Sequence, residues 1–198
     1  MSSTTSDHPK VFISYSHDSR EHKDRVLELS DRLRDDGIDC HLDQYEESPA
    51  EGWPRWMVNQ IEDADFVLLV CTENYERRFR GMEDTGKGLG VKWEGAIITQ
   101  EVYDAEAHNT TFIPVLFSPD HSAYIPIVLR GATRYEIKTD EGYIDLYRRL
   151  TGQHLTPKPE LGPIRPMPPL ERKQSSGDLG VLKSPIVDPF VKTKIRSE

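Results

Sequence analysis

Residues 11–18 read Val-Phe-Ile-Ser-Tyr-Ser-His-Asp, an apolar run that passes directly into polar side chains. The apolar half, Val11 to Ile13, is typical of a buried strand. In an open parallel sheet, ligands bind in the crevice beyond the carboxyl ends of the strands. The polar half, Ser14 to Asp18, therefore predicts one wall of a binding site. A strand followed by a helix N-cap is the alternative interpretation of the same residues.

Runs that suit strands alternate along the chain with segments of helical periodicity. Phe66 to Cys71 is unbroken and apolar, which is typical of a central parallel strand covered on both faces. Asp18 and Glu21 resemble a capping box and predict the start of the first helix. The β-α-β-α-β-α-β order predicts an α/β fold with a flavodoxin-like, doubly wound parallel sheet. The predicted strands are 11–13, 38–43, 66–71, 110–117 and 134–139, and the predicted helices are 18–37, 53–64, 72–79, 93–104 and 143–150.

Two positions in these elements carry more specific predictions. Pro114 lies inside the fourth predicted strand, and because proline has no N–H for the ladder, it predicts an edge strand or a bulge. Trp53 and Trp56 lie at the start of the second predicted helix. We expect them in the core or at an interface rather than against a ligand.

Composition divides the chain into three segments. Residues 1–8 are polar and predict a disordered N-terminus, and residues 9–153 hold the periodic segments of one folded domain. Residues 154–198 contain eight of the fourteen prolines and no sustained periodicity, which predicts a Pro-rich disordered linker or tail. Within it, residues 163–169 either form a spacer or dock as a polyproline helix into an aromatic groove.

Charge excludes one class of partner for the folded part. The chain carries a net −9, and residues 1–153 hold 17 Lys and Arg against 29 Asp and Glu. A domain this acidic has no long-range attraction for a polyanion, so we expect no nucleic-acid binding. A local basic pocket remains compatible with a small anionic ligand.

The remaining signals predict a cytoplasmic protein without a metal. The start of the chain lacks the apolar core of a signal peptide, and no apolar run approaches the length of a membrane helix. The two cysteines, Cys40 and Cys71, each fall in a predicted strand and are expected to be reduced, buried thiols. His17, His22 and His41 do not have the spacing of metal ligands.

Four motifs together resemble a known family. They are residues 11–18, the loop from Asp43 to Gly52, the strand from Phe66 to Thr72, and Lys-Trp-Glu-Gly at 92–95. Over residues 9–153 the chain is similar to the SEFIR branch of the TIR-domain superfamily. The resemblance implies a TIR-like fold and two possible roles. Some members are adaptors that assemble through homotypic contacts, with the loop from Tyr45 to Gly52 at the interface, whereas others cleave the nicotinamide–ribose bond of NAD.

The enzymatic role implies a single catalytic glutamate near a helix start after the third strand. Glu94, beside Trp93, matches that position, although many such enzymes have an aromatic four residues before the glutamate. A carboxylate there would stabilise oxocarbenium character on the ribose while cationic nicotinamide leaves. The alternative is that Glu94 complements a helix dipole. The reserve candidates are Glu73, Glu76 and Glu101, and the residues expected to line the NAD cleft are Ser14, Tyr15, Ser16, Asp18, Asp43 and Trp93.

Two functions are therefore expected from the sequence. The first is an NAD+ hydrolase that is activated by self-association in prokaryotic antiviral defence or signalling, with NAD as substrate, no resident cofactor, and a sensor protein or domain reached through the tail. The second is a non-enzymatic adaptor. A phosphoacceptor receiver is disfavoured because no acidic pair with a matching lysine follows the strands. A phosphate-binding loop at 86–90 is disfavoured because Gly-Lys-Gly-Leu-Gly departs from the P-loop pattern.

Overall fold

The computed structural model describes residues 8–82, 98–100 and 109–169. Within these residues, five strands form one parallel sheet with the order β2-β1-β3-β4-β5. That order is the flavodoxin-like form of the doubly wound sheet, so the predicted fold class is confirmed. The strands are β1 (Lys10–Ser14), β2 (Asp39–His41), β3 (Phe66–Val70), β4 (Phe112–Leu116) and β5 (Tyr135–Glu136).

Four α-helices are described at full length. They are α1 (Arg20–Asp35), α2 (Trp53–Asp63), α3 (Glu73–Phe79) and α4 (Asp140–Thr151). Residues 98–100 are also helical, and the rest of the helix predicted at 93–104 lies outside the described residues. Three short 3-10 turns cover Asp43–Tyr45, Pro119–Tyr124 and Ile127–Leu129.

Helix α1 begins one residue later than the capping-box pattern predicts. Ser19 is the N-cap, and its side chain accepts a hydrogen bond from the His22 N–H at 3.1 Å. Asp18 instead accepts a hydrogen bond from the Ser16 hydroxyl. A hydroxyl oxygen or a carboxylate oxygen can cap a helix. The local sequence therefore does not decide whether Asp18 or Ser19 is the N-cap.

The alternation of side chains along the strands builds a core on each face of the sheet. Val11, Ile13 and Tyr15 of the first strand and its extension pack on the face covered by α1 and α4. Phe12 packs on the opposite face, with Trp56 of α2 and Tyr75 of α3. Strand β3 alternates in the same way and is fully buried from 67 to 70. Both faces are therefore covered, as expected for a parallel sheet.

Pro114 corrects one prediction, because β4 is an interior strand between β3 and β5. Successive residues of a strand direct their backbone groups to opposite neighbours. The Val115 carbonyl accepts from Cys71 of the β3 side, whereas the Leu116 carbonyl accepts from Ile137 on the β5 side. The position of the missing Pro114 N–H therefore faces β5, which begins only opposite Val115. An interior proline is tolerated because no ladder acceptor stands there.

The chain divides into two units at Pro157. In the second unit, residues 158–169 contain no helix or strand and are exposed, and residues 170–198 lie outside the described residues. The boundaries of the N-terminal segment, the domain and the Pro-rich tail remain predictions. Across the described part of the chain, we find no helix with both the length and the apolar character needed to cross a bilayer.

Candidate functional site

The polar residues after β1 lie at the point where the strand order reverses. Strand β1 lies between β2 and β3. The chain passes from β1 to β2 on one side, and it then continues to β3 on the other side of β1. Ser14, the last residue of β1, is in register with Leu69 of β3, so the polar extension of β1 lies beside Thr72. In this fold, such a reversal point is where ligands bind.

Side-chain alternation divides the polar extension of β1 between the two faces of the sheet. The first group faces α3. The Ser14 hydroxyl shares a buried 2.8 Å hydrogen bond with the Tyr75 hydroxyl, and the Ser16 hydroxyl lies 3.0 Å from the Thr72 hydroxyl. Ser16 also donates to Asp18. Because Ser14 and Ser16 are at most 1% exposed, their hydroxyls hold the end of β1 against α3.

Thr72 connects this group to the start of α3. It is the N-cap residue, and its hydroxyl oxygen accepts a hydrogen bond from the Tyr75 N–H at 3.1 Å. A hydroxyl carries one hydrogen, and the Thr72 hydroxyl can donate its hydrogen to the Ser16 hydroxyl. Neither Thr72 nor Tyr75 was among the predicted site residues. A threonine between a strand and a helix is a recognisable N-cap signal, but the contact between Tyr75 and Ser14 spans 61 residues and has no local signature.

The second group faces α1 and is organised by Asp43. Its two carboxylate oxygens contact different partners, because the Tyr15 hydroxyl donates to Oδ1 at 2.9 Å and His17 Nε2 lies 2.7 Å from Oδ2. The Asp43 side chain is 23% exposed and that of His17 is 51% exposed. Asp43 is one of the residues predicted to line the NAD cleft, and its side chain is partly accessible to solvent.

The loop after β2 is held at both ends. At its start, the Tyr45 hydroxyl donates to Asp31 at 2.6 Å. At its end, Gly52 is the N-cap residue of α2, where its carbonyl accepts a hydrogen bond from the Trp56 N–H at 3.0 Å, and it has φ of +82°, a value that glycine adopts without strain. Trp53, the next residue, is 41% exposed. Its ring makes an edge-to-face contact with the ring of buried Trp56. The loop is therefore anchored on the domain while an aromatic surface stays exposed beside it.

Two imidazoles near the Asp43 group have buried nitrogens that make no hydrogen bond with any of the residues that the structure describes. They are Nε2 of His22 in the first turn of α1 and Nδ1 of His121 in the 3-10 turn after β4. The His22 ring lies between Tyr15 and Phe117, at centroid distances of 6.0 and 5.7 Å. Burial lowers the pKa of His22 most. The adjacent charge of Asp18 raises this pKa, whereas His121, Arg25 and His17 lower it further.

Stability is expected to fall on acidification because of His22. Its pKa in the folded protein lies below the ordinary value of 6.5, so the unfolded chain binds the proton more tightly. The free energy of unfolding should therefore be greatest above pH 6.5 and should decrease as the pH falls through and below that value. Urea unfolding followed by circular dichroism between about pH 5 and 8 measures this slope.

His22→Gln should flatten that part of the pH profile because the titrating group is removed. His41→Gln is the matched control, since the His41 side chain is 47% exposed on the sheet edge and should leave the slope in place. An unchanged slope in His22→Gln would show that other groups set the acid sensitivity.

The structure does not describe Glu94 or Trp93, and the catalytic assignment of Glu94 stays a prediction. Glu101 and the glycine-containing segment at 86–90 also lie outside the described residues. Of the reserve glutamates, Glu73 lies in the first turn of α3 with its carboxylate 3.5 Å from the Tyr124 hydroxyl. Glu76 is paired with Arg80 and its side chain is only 13% exposed, so it is less accessible to a ligand.

The cysteines are suited to packing rather than to chemistry. Cys40 and Cys71 are free and buried, and burial raises the pKa of each thiol to about 12. At neutral pH both are therefore protonated and poorly nucleophilic. Among the described side chains, no group of three or more His, Cys, Asp or Glu residues could hold a metal ion.

Comparison with known proteins establishes the family. Residues 9–150 match the SEFIR domain, which is most of the chain. This chain belongs to the SEFIR family. A crystal structure of a prokaryotic SEFIR domain is similar to it, with a TM-score of 0.55 and 29% sequence identity over 72% of this chain and 98% of that one.

This SEFIR domain is also similar to part of a receptor protein that is found in several animals. Interleukin-17 receptor D of Homo sapiens is 27% identical over 146 residues, which cover 65% of this chain and 20% of the receptor. Interleukin-17 receptor D of Danio rerio is 25% identical over 193 residues, which cover 84% of this chain and 25% of the receptor. The chain thus spans only a fifth to a quarter of the length of these relatives.

Proposed function

We propose that this SEFIR domain is a signalling module that assembles by contacts with other copies of the same domain type. The observation that carries the proposal is the loop from Tyr45 to Gly52, which is anchored at both ends and exposed. A loop already ordered in the free domain loses little conformational entropy on docking. The similarity to interleukin-17 receptor D over the SEFIR region supports a role in signalling.

Trp53→Ala should weaken self-association by about tenfold or more, because aromatic side chains at interface centres contribute most of the binding energy. Trp53 is 41% exposed and its ring contacts Trp56, so urea unfolding is measured on each variant to verify that the proteins compared are folded. Sedimentation velocity across a concentration series measures the association. Ile144→Ala is the matched control, since Ile144 is 47% exposed on α4, the helix that covers the opposite face of the sheet from Trp56. Equal association of the wild type and Trp53→Ala would exclude the Trp53 surface beside this loop from the interface.

NAD+ cleavage is a second candidate function, and the accessible carboxylate of Asp43 at the strand-order reversal favours it. Asp43 has the chemistry to accept hydrogen bonds from ribose hydroxyls, and the exposed His17 ring lies beside it. Ser14, Tyr15 and Ser16 would support this wall through their buried hydrogen bonds rather than touch the substrate. We propose Glu94 as the carboxylate that stabilises the oxocarbenium-like transition state, with Trp93 beside the nicotinamide.

Nicotinamide release from NAD+ by concentrated or artificially oligomerised protein tests this second function. Glu94→Gln should abolish the release while leaving the thermal unfolding midpoint unchanged. Glu73→Gln is the matched control, because Glu73 is another glutamate at a helix start after β3. Activity that survives Glu94→Gln but not Glu73→Gln would move the assignment to Glu73. The absence of activity in every assembled state would leave the assembly module alone.

Two further aspects of the sequence-based prediction stay proposals. We propose that assembly activates signalling or antiviral defence in the cytoplasm. We also propose that the segment after residue 153 connects the SEFIR domain to a sensor protein or domain.

A further inference from the structure

An open cavity of about 670 Å³, lined by both polar and apolar groups, lies at the β5 edge of the sheet, three strands away from β1. Its walls come from β5 and the residues directly before it, from α4 between Gly142 and Arg149, and from the residues directly after that helix. Strand β5 is the edge of the sheet, and none of the other described strands covers this side. The volume is within the range of small-molecule sites, and a single inorganic ion would fill only part of it.

Arginines outnumber carboxylates in the cavity wall. Arg134, Arg148 and Arg149 line it, against two carboxylates, Glu136 and Asp145. Residues 1–153 as a whole carry a large excess of acidic groups, so this wall reverses the prevailing charge of the domain. Planar guanidinium groups bind phosphate and carboxylate oxygens in pairs, which makes such a wall complementary to a multivalent anion.

The three arginines differ in how firmly the protein holds them. Arg149 has a structural role, because its guanidinium donates to the Thr110 carbonyl at 2.9 Å and lies 5.2 Å from the Phe66 ring centroid. The Nε atom of Arg134 lies 3.9 Å from the Glu136 carboxylate. The Arg148 guanidinium donates a hydrogen bond to the Gln153 carbonyl at 3.4 Å. These two contacts are long and partly exposed, and such contacts contribute little to stability. Arg134 and Arg148 can therefore turn toward a ligand at small cost.

We propose that this cavity binds a small organic polyanion, with Arg134 and Arg148 holding its phosphate or carboxylate groups and Arg149 fixing the wall. Glu136 competes with the ligand for Arg134 and limits the affinity. The site is separate from the Tyr45–Gly52 loop and from Asp43, so it stands whether the domain is an assembly module, an NAD-cleaving enzyme or both.

Titration of the full chain with inorganic pyrophosphate and, in parallel, citrate tests the site and distinguishes phosphate from carboxylate recognition. Amide chemical shifts should change for residues 132–136 and 148–155, and the change should saturate below about 10 mM. Affinity should fall as the ionic strength rises. The ligand with the lower dissociation constant identifies the preferred acidic group.

Substitutions then distinguish this site from general attraction. Arg134→Gln with Arg148→Gln should raise the dissociation constant by about tenfold or more. Glu136→Gln should lower it, because the competing carboxylate is gone. Arg20→Gln is the matched control, since the Arg20 side chain is 96% exposed on α1 and should change nothing. Absence of saturable binding with both anions, or equal binding by the double variant and the wild type, would overturn the proposal.

Discussion

Gly142→Ala is expected to destabilise the SEFIR domain by about 3 kcal/mol or more. Gly142 is in the first turn of α4, where the helix crosses the edge strand β5. A Cβ added at this position would overlap the Glu136 carbonyl oxygen and lie 2.9 Å from its carbon. Both are backbone atoms, so rotation of a side chain cannot relieve the overlap. Either α4 or β5 must move, and the packing of Tyr143 and Leu146 in the core moves with the helix.

Urea unfolding measures this difference, and Gly131→Ala is the matched control. A Cβ at Gly131 has nothing within 4 Å, so this variant should keep the stability of the wild type. Helix propensity alone predicts that Gly142→Ala increases the free energy of unfolding, since alanine in a helix is favoured over glycine by about 1 kcal/mol. A Gly142→Ala variant as stable as the wild type would mean that α4 does not approach β5 this closely.

Thr72→Val is expected to lower the free energy of unfolding by about 2–3 kcal/mol. Valine has nearly the shape of threonine but no hydroxyl. The Tyr75 N–H loses its cap, and the Ser16 hydroxyl loses the group 3.0 Å away that holds it against α3. Thr72 is 5% exposed and Ser16 is fully buried, so water cannot readily replace either bond. The denaturant slope should be unchanged, because the surface exposed on unfolding is the same.

Thr72→Ser separates the hydroxyl from the methyl group. Serine is as good an N-cap as threonine, so this variant should lose at most about 1 kcal/mol. If Thr72→Ser and Thr72→Val were equally destabilised, the methyl packing rather than the two hydrogen bonds would hold the end of β1 to α3.

The candidate site shows where prediction from sequence reaches its limit. Apolar runs and their spacing were sufficient to predict β1, β3 and the parallel sheet, because burial on both faces leaves a continuous apolar pattern. The polar residues after β1 were correctly placed at the end of that strand. Their partners were not predicted, since Tyr75 and Asp43 are 61 and 28 residues away in the chain from the residues that they contact.

By itself, the sequence determined the class of fold, the acidic character of the domain and the position of the polar segment after β1. These properties depend on composition and on short periodic patterns, which tertiary contacts do not alter. Only the tertiary structure decided that Ser14 and Ser16 face α3 while Tyr15 and His17 face Asp43. It also decided that Gly142 must lack a side chain and that three arginines share one cavity. Each of these depends on distances between segments far apart in the chain, and those distances are set by how the helices pack against the sheet.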